Sequence, residues 1–249
     1  MNDVERLAGL REDLDRMGQR WARTAPRESQ QGTAANGTVA VTVDASGTVT
    51  KVVVREAWRD AVDGSALGAA VLTAYAKAGE AQLATWGERS RADEQEPEPV
   101  AAPAPPASET FADSLQRFVD ERGNGPEVHE AFDRLGDLIQ QVLDGLDESA
   151  RIVEERMSAT YLGTDSERKV RVLVRGSGEL VGVEVDQRWL EQRHSANVTT
   201  RLTEAVRAAY RTAAEAVPAG GLAGTPLGEV TALLDDPGAL LDAISRREA

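Results

Sequence analysis

An internal repeat constrains this chain more than any other feature of its sequence. Moved forward by 131 positions, segment 39–58 falls on a second valine-rich segment, 170–189, and shares its alternating valines, turn glycine and tryptophan. The alanine-rich segments that follow, 70–81 and 205–216, agree with a shift of 135. Joint agreement of several kinds of feature is hard to obtain by chance. We therefore predict a tandem duplication of one small unit whose two copies pack together.

The sequence pattern of each copy predicts a β-hairpin followed by a buried tryptophan. Val39, Val41 and Val43 alternate with other residues, as Val170, Val172 and Val174 do, which is typical of a strand with one buried face. The segments 44–47 and 176–178 carry turn residues, including glycines that can take positive φ. Trp58 and Trp189 follow the hairpins, and we expect them to pack in the core rather than stack on bases.

Helices are predicted on both sides of each hairpin, so the fold class is α+β. Apolar residues at steps of three and four predict amphipathic helices over 2–23 and 128–157, whose apolar seams favour partner helices. Alanine-rich segments predict helices over about 65–86 and 197–217, and weaker patterns predict helices at 108–119 and 227–245. We expect two repeats of helix, antiparallel hairpin and helix, packed as an intrachain pseudo-dimer, and the hairpins can join into one sheet.

Composition divides the chain into four segments. Residues 87–107 are rich in Pro and Glu and predict an extended linker. The first repeat then occupies 1–86, and the second occupies 108–217 with an extra helix at its beginning. A glycine-rich loop and a helical tail make up 218–249.

Charge and residue usage exclude several classes of protein. The net charge of −14 repels phosphate backbones at long range and counts against general nucleic-acid binding. Without cysteine there is no disulfide, thiolate nucleophile or cysteine metal site. The first residues lack a signal peptide's pattern, and no apolar run approaches about 20 residues, so we expect a cytoplasmic protein without a membrane partner.

No constellation of catalytic groups is evident, so we predict a binding protein rather than an enzyme, without metal or cofactor. The two histidines, His129 and His194, have no metal-ligand spacing and are expected at the surface. The segment 220–224 is glycine-rich but lacks the Lys-Ser/Thr ending of a phosphate loop and does not follow a strand.

A cluster of cations on the second hairpin is the candidate binding site. Two interpretations remain open: a row that meets phosphates, or an outward sheet face that pairs with acidic helices. The first hairpin offers fewer cations, so the two copies are not electrostatically equal. The candidate residues are Arg168, Lys169, Arg171 and Arg175 on the second hairpin, and Lys51 and Arg55 on the first.

The pattern V-x-V-x-V-x-x-x-G-x-x-x-x-V-x-V, followed by a loop and A-x-x-x-A, resembles the hairpin and last helix of the YbaB/EbfC family of nucleoid-associated proteins. It is carried by residues 37–54 and 169–186, and the resemblance covers most of 1–86 and 127–217. The glycine-rich stretch that usually precedes the family's first strand is reduced here to Gly32 and Gly37. The doubled unit with an acidic linker also departs from typical single-unit members.

The resemblance implies a small α/β unit that forms homodimers and binds DNA with little sequence preference. A fused pair would be a dimer within one chain. Whether the fused chain also forms a homo-oligomer is not decided by the sequence. Actinobacterial relatives of the same fold occur with type VII secretion systems, and the high Ala, Arg and Glu content is compatible with such a source. Two functions follow: nucleoid-associated DNA binding, or an acidic protein–protein adaptor or chaperone that binds its partner through the helical seams.

Overall fold

The computed structural model of the chain describes residues 3–100, 120, 126–217 and 221–234. The predicted helix at 108–119 and the tail beyond residue 234 lie outside these residues. The helices are α1 (Asp3–Thr24), α2 (Trp58–Ala61), α3 (Leu67–Asp93), α4 (Pro126–Ser158), α5 (Gln187–Glu191), α6 (Ser195–Ala216) and α7 (Pro226–Leu234). The strands are β1 (Gln30–Ala34), β2 (Val39–Val43), β3 (Val49–Val54), β4 (Thr160–Thr164), β5 (Val170–Arg175) and β6 (Leu180–Val185). The α+β class is confirmed.

Each predicted hairpin has a third strand before it. The described strands form two separate antiparallel sheets, β1-β2-β3 and β4-β5-β6, so the expectation of a single joined sheet is wrong. The polar segment 24–37 contains Pro26, Gly32 and Gly37 and predicts a loop, which is wrong where β1 lies. Gln30–Ala34 has little apolar alternation, and the strand exists because its backbone pairs with β2 from Gln30↔Val43 to Ala34↔Val39. Such a strand depends on its neighbour rather than on its own sequence pattern.

The two sheets have the same register, offset by the 131 positions of the sequence repeat. Val39 pairs with Val54 in the first sheet, and Val170 pairs with Val185 in the second. Both hairpins contain a bulge at the same place, between Thr42 and Val43 and between Leu173 and Val174. Both turns contain a glycine with positive φ, 84° at position 47 and 87° at position 178.

The long helices cover the sheets in a reciprocal way. Helix α3 packs on β1 and β2 of its own sheet and on β6 of the other, while α6 packs on β4, β5 and β3. The inward valines of both hairpins and the alanines of both helices form one apolar cluster. A hydrogen bond joins the two sides, because Thr199 Oγ1 on α6 accepts from the Val54 backbone N–H at 2.9 Å.

Two glycines allow the first strand of each sheet to touch a helix backbone. A Cβ at Gly32 would lie 2.1 Å from the Ala74 carbonyl oxygen, and one at Gly163 would lie 2.1 Å from the Ala209 nitrogen. Neither approach leaves room for any side chain. Positions 32 and 163 are also related by the 131-residue shift. In both sheets, therefore, a glycine at the equivalent position allows the first strand to contact a helix backbone.

The chain separates into two compact units that are not consecutive in sequence. One contains residues 1–102 and 157–217, which include both sheets, and the other contains 103–156 and 218–249. Helix α3 continues to Asp93, so the expectation of an extended linker from residue 87 is wrong for residues 87–93. The tertiary reason is a carboxylate: Asp93 is 8% exposed and its Oδ1 lies 2.8 Å from Arg23 Nε on α1.

In the second unit, α7 contacts α4 through small residues. Ser149 Oγ donates to the Gly145 carbonyl at 2.7 Å and accepts from the Leu227 backbone N–H at 3.1 Å. Arg156 donates to the carbonyl oxygens of Gly221 and Ala223, both at 2.8 Å. The described part of the glycine-rich segment, 221–224, is therefore a connector held by α4.

Candidate nucleic-acid interface

Strand β5 places its cations on the face opposite the core. Val170, Val172 and Val174 are fully buried, while Arg171 and Arg175 are exposed. The period of two therefore places the cations as the sequence predicted. An exposed row of this kind has the geometry needed to approach a polyanion.

Carboxylates accompany three of the four cations of the second hairpin. Lys169 Nζ lies 2.9 Å from Asp186 Oδ2, and Arg175 Nη1 lies 2.7 Å from Glu179 Oε2. Arg171 Nη1 lies 3.5 Å from Glu184 Oε2, because these two residues are opposite each other in the β5–β6 ladder. The strand face is close to neutral as a result, which favours the outward-face interpretation over a bare cationic row.

Asp186 has a second role that explains its presence beside Lys169. Its Oδ1 accepts from the Trp189 backbone N–H at 3.0 Å and so caps α5. The hydrogen bond from Trp189 and then that from Lys169 lower the pKa of Asp186, so this carboxylate stays charged. The Lys169 ammonium is thus held by a group that the fold needs.

Arg168 is the exception among the four cations. It is exposed and makes no ion pair within the described part of the chain. Its φ is +56°, a left-handed conformation that costs an L-residue roughly 1–2 kcal/mol. The first repeat has Gly37 at the corresponding position, with a φ of +80°. An unpaired arginine therefore stands where the backbone favours glycine, and strain of this kind is a pointer to function.

The turn that carries Arg168 is fixed by a buried carboxylate. Asp165 is 2% exposed, and its Oδ1 accepts from the backbone N–H groups of Lys169 at 2.6 Å and Val170 at 2.7 Å. Arg201 on α6 lies near Asp165 and ion-pairs with Glu167 and Glu204. The hydrogen bond from Arg201 lowers the pKa of the Glu204 carboxyl. This support is not predicted from the sequence, where its only signal is a local D-x-x-x-K turn.

The two candidates on the first hairpin are free of carboxylate partners among the described residues. Lys51 is exposed on β3 opposite Thr42, and Arg55 is exposed directly after β3. The first sheet thus has fewer cations than the second, but its cations are not neutralised.

The tryptophans belong to the core, as predicted. Trp58 is 1% exposed and Trp189 is 7% exposed, so neither ring is available for stacking on bases. Each ring has an arginine above it, Arg59 at 4.6 Å from the Trp58 centroid and Arg193 at 5.8 Å from the Trp189 centroid. Arg59 also donates to the Leu190 carbonyl at 2.8 Å, which ties α2 after the first hairpin to α5 after the second.

The described residues offer neither a metal site nor a membrane span. No group of three or more His, Asp or Glu side chains suited to a metal ion occurs among the described residues. Within the same residues, no helix has the length and apolar character needed to cross a membrane. His194 is exposed at the beginning of α6, and its side chain does not cap the helix.

Comparison with known proteins finds a family similarity for one part of the chain. No curated protein and no solved structure matches the chain. Residues 132–219 match the sequence profile of the YbaB/EbfC DNA-binding family. This range includes most of α4, all of the second sheet and α6. The helix, sheet and helix over these residues are therefore similar to the domain of the YbaB/EbfC DNA-binding family.

Proposed function

We propose that the chain is a non-catalytic, nucleoid-associated protein that binds DNA with little sequence preference. The observation that carries the proposal is the match of residues 132–219 to a DNA-binding family. Charge is the opposing consideration, because a net −14 repels DNA at long range. Binding must then rest on a few local cations and be weak and salt-dependent.

The cations that we assign to DNA are those predicted from sequence, and they fall into two groups. Arg168, Lys51 and Arg55 are exposed and without an ion pair among the described residues, so they meet phosphate without losing a partner. Lys169, Arg171 and Arg175 have carboxylate partners. The exposed pairs are worth little in isolation, about 0–1 kcal/mol, so a phosphate can compete for them.

We also propose that the chain is a tandem duplication that folds as an intrachain pseudo-dimer. The equal registers, the bulges at equal positions and the paired glycines at 32 and 163 support this origin. The reciprocal packing of α3 on β6 and of α6 on β3 supports the pseudo-dimer. In this proposal the repeats are 1–86 and 108–217, and only the second keeps a cation-rich hairpin.

The test is a fluorescence-anisotropy titration of a mixed-sequence duplex with charge variants. Arg171→Glu with Arg175→Glu should abolish measurable binding. Glu179→Gln with Glu184→Gln removes the competing carboxylates and should strengthen binding on the order of tenfold.

Arg168→Gly should weaken binding while stabilising the fold by about 1 kcal/mol, because glycine relieves the left-handed strain. Equal affinity of all variants and the wild type would rule out the second hairpin as the interface.

A second candidate function is an acidic protein–protein adaptor or chaperone, of the kind associated with type VII secretion. The observation that favours it is the interleaving of carboxylates with the hairpin cations. An apolar groove between α1 and α3, lined by Trp21, Leu83 and Trp86, gives this function a physical surface. In either case we expect the protein to act in the cytoplasm.

A further inference from the structure

An apolar groove lies between the end of α1 and the second half of α3. It has a volume of about 660 Å³. Trp21 is 66% exposed, Leu83 68% and Trp86 38%, and these three side chains line it. Pro26, Ala76 and Gly79 complete its apolar lining. Both tryptophans that are not in the core of the two sheets therefore meet at one surface.

Exposure of these side chains to water is costly, which indicates a binding surface. Burial of one large apolar side chain is worth roughly 1.5–3 kcal/mol. Contiguous exposed apolar patches mark interaction sites more often than isolated exposed residues do. Met17, one turn before Trp21 on α1, is also 57% exposed. The predicted seam of α1 is thus unpartnered at its end within the described residues.

The groove has the shape of a seat for one helix. Its α3 lining recurs at Ala76, Gly79, Leu83 and Trp86, which lie on one face of the helix. The spacing corresponds to about 15 Å along the axis, or nearly three turns. Gly79 leaves the floor open, since a Cβ there would meet no atom within 4 Å. An amphipathic helix fills such a groove with anchors spaced at three and four residues.

The charge of the groove selects the occupant. Glu80 is the only charged residue of the lining, it is exposed, and it makes no ion pair within the residues that the structure describes. The Gln82 amide already has a hydrogen-bond partner within the chain, because it donates to the Ala45 carbonyl at 2.8 Å. A second copy of the chain would bring a further −14 and its own Glu80. A basic partner instead gains both the local and the long-range attraction.

We propose that this groove binds an amphipathic helix of a partner protein that carries aliphatic anchors and a Lys or Arg opposite Glu80. The proposal specifies a surface for the second candidate function, and it stands whether or not the chain binds DNA.

The test uses the full chain and two synthetic helical peptides with leucines at three- and four-residue spacing. One peptide carries lysines beside the leucines, and the other carries glutamates. Binding is followed by tryptophan fluorescence, because Trp21 and Trp86 are exposed while Trp58 and Trp189 are buried. We expect a blue shift with the lysine peptide and at least about tenfold weaker binding of the glutamate peptide. Glu80→Lys should reduce this preference, because it removes the local attraction.

Two leucine substitutions on α3 provide a matched pair of variants. Gly79→Leu fills the floor of the groove and should abolish peptide binding, while Gly87→Leu, which is also open at the Cβ position but is not part of the lining, should leave it unchanged. Both variants should bind DNA as the wild type does, which separates this proposal from the first candidate function.

Three results would overturn the proposal. The first is equal affinity for the two peptides, and the second is binding that survives Gly79→Leu. The third is a concentration-dependent dimer in sedimentation that Gly79→Leu abolishes, which would assign the groove to a second copy.

Discussion

Gly163 and Gly32 show how single residues fix the position of a whole strand. Each brings strand backbone against an alanine-rich helix at a distance that no Cβ permits. The polar sequence around Gly32 predicts a loop, because a lone glycine does not indicate which backbone approaches it. The 131-residue relation between the two positions is the signal that could have identified them as equivalent contacts.

Gly163→Ala should destabilise the fold by about 1–3 kcal/mol, because its methyl group would overlap the Ala209 backbone on α6. Gly79→Ala is the control. It lies within α3 with open space around its Cβ, so alanine should stabilise by about 0.5–1 kcal/mol. Urea midpoints of the two variants should move in opposite directions. A Gly163→Ala midpoint equal to that of the wild type would show that strand β4 does not lie this close to α6.

Tyr210 should make stability depend on pH in the alkaline range. Burial raises the pKa of Tyr210 to about 12, and its hydroxyl donates to the Gly178 carbonyl at 3.0 Å. The ordinary tyrosine pKa is about 10, so the folded state holds this proton more tightly than the unfolded state. The contribution is therefore complete below about pH 10 and is lost as pH rises to about 12.

The measurement is the ultraviolet titration of tyrosinate in the wild type minus that in Tyr210→Phe. The difference curve should have its midpoint near 12. The fall in urea midpoint between about pH 9 and about pH 11 should be smaller in the variant than in the wild type. A difference curve centred near the ordinary value of about 10 would contradict the burial of this hydroxyl.

Elements with a strong internal pattern were predictable, and elements defined by a neighbour were not. The valine alternation of β2 and β5 and the alanine pattern of α3 and α6 identify those elements from sequence alone. Strands β1 and β4 lack such a pattern and form because an adjacent strand edge is available. The end of α3 was predicted at 86 rather than Asp93, because Pro and Glu composition marks a linker but does not show which carboxylate is buried.

Asp93 should determine how firmly α1 is attached to α3. Its carboxylate is 8% exposed and lies 2.8 Å from Arg23 Nε and 3.4 Å from Arg20 Nε. Asp93→Asn should lower the free energy of unfolding by about 1–2 kcal/mol, since the arginines are partly exposed and keep some hydration. Asp60→Asn, an exposed substitution on α2, should have little effect. Equal urea midpoints for the two variants would argue against this attachment.

At the scale of the molecule, the similarity of segments 39–58 and 170–189 is visible in the sequence, but the pattern of contacts between them is not. The presence of two similar hairpins in the sequence is compatible with one joined sheet or with two separate sheets. The side chains that decide between them lie on α3 and α6, each of which contacts the last strand of the other sheet. The candidate site was likewise half predictable. The cations follow from the sequence, while their carboxylate partners depend on the register of β5 with β6.

The reciprocal packing predicts that the halves stay together after the chain is cut. A protease site inserted within residues 101–107 should give two fragments that co-elute in size-exclusion chromatography and unfold in one transition. The physical reason is that α3 contacts β6 and α6 contacts β3, so separation would expose the shared apolar cluster. Elution of two separate folded fragments would contradict the shared core.

The most direct test of the proposed function is a titration of the unmodified protein against a mixed-sequence duplex at about 50 and about 200 mM salt. We predict measurable binding at the lower salt, since sequence-independent contacts with DNA give dissociation constants of roughly 10⁻⁴–10⁻⁶ M even at physiological salt. Two to three phosphate contacts would weaken it about tenfold to fortyfold at the higher salt. Absence of binding at the lower salt would contradict DNA as the direct ligand and leave the protein-binding function as the account of this chain.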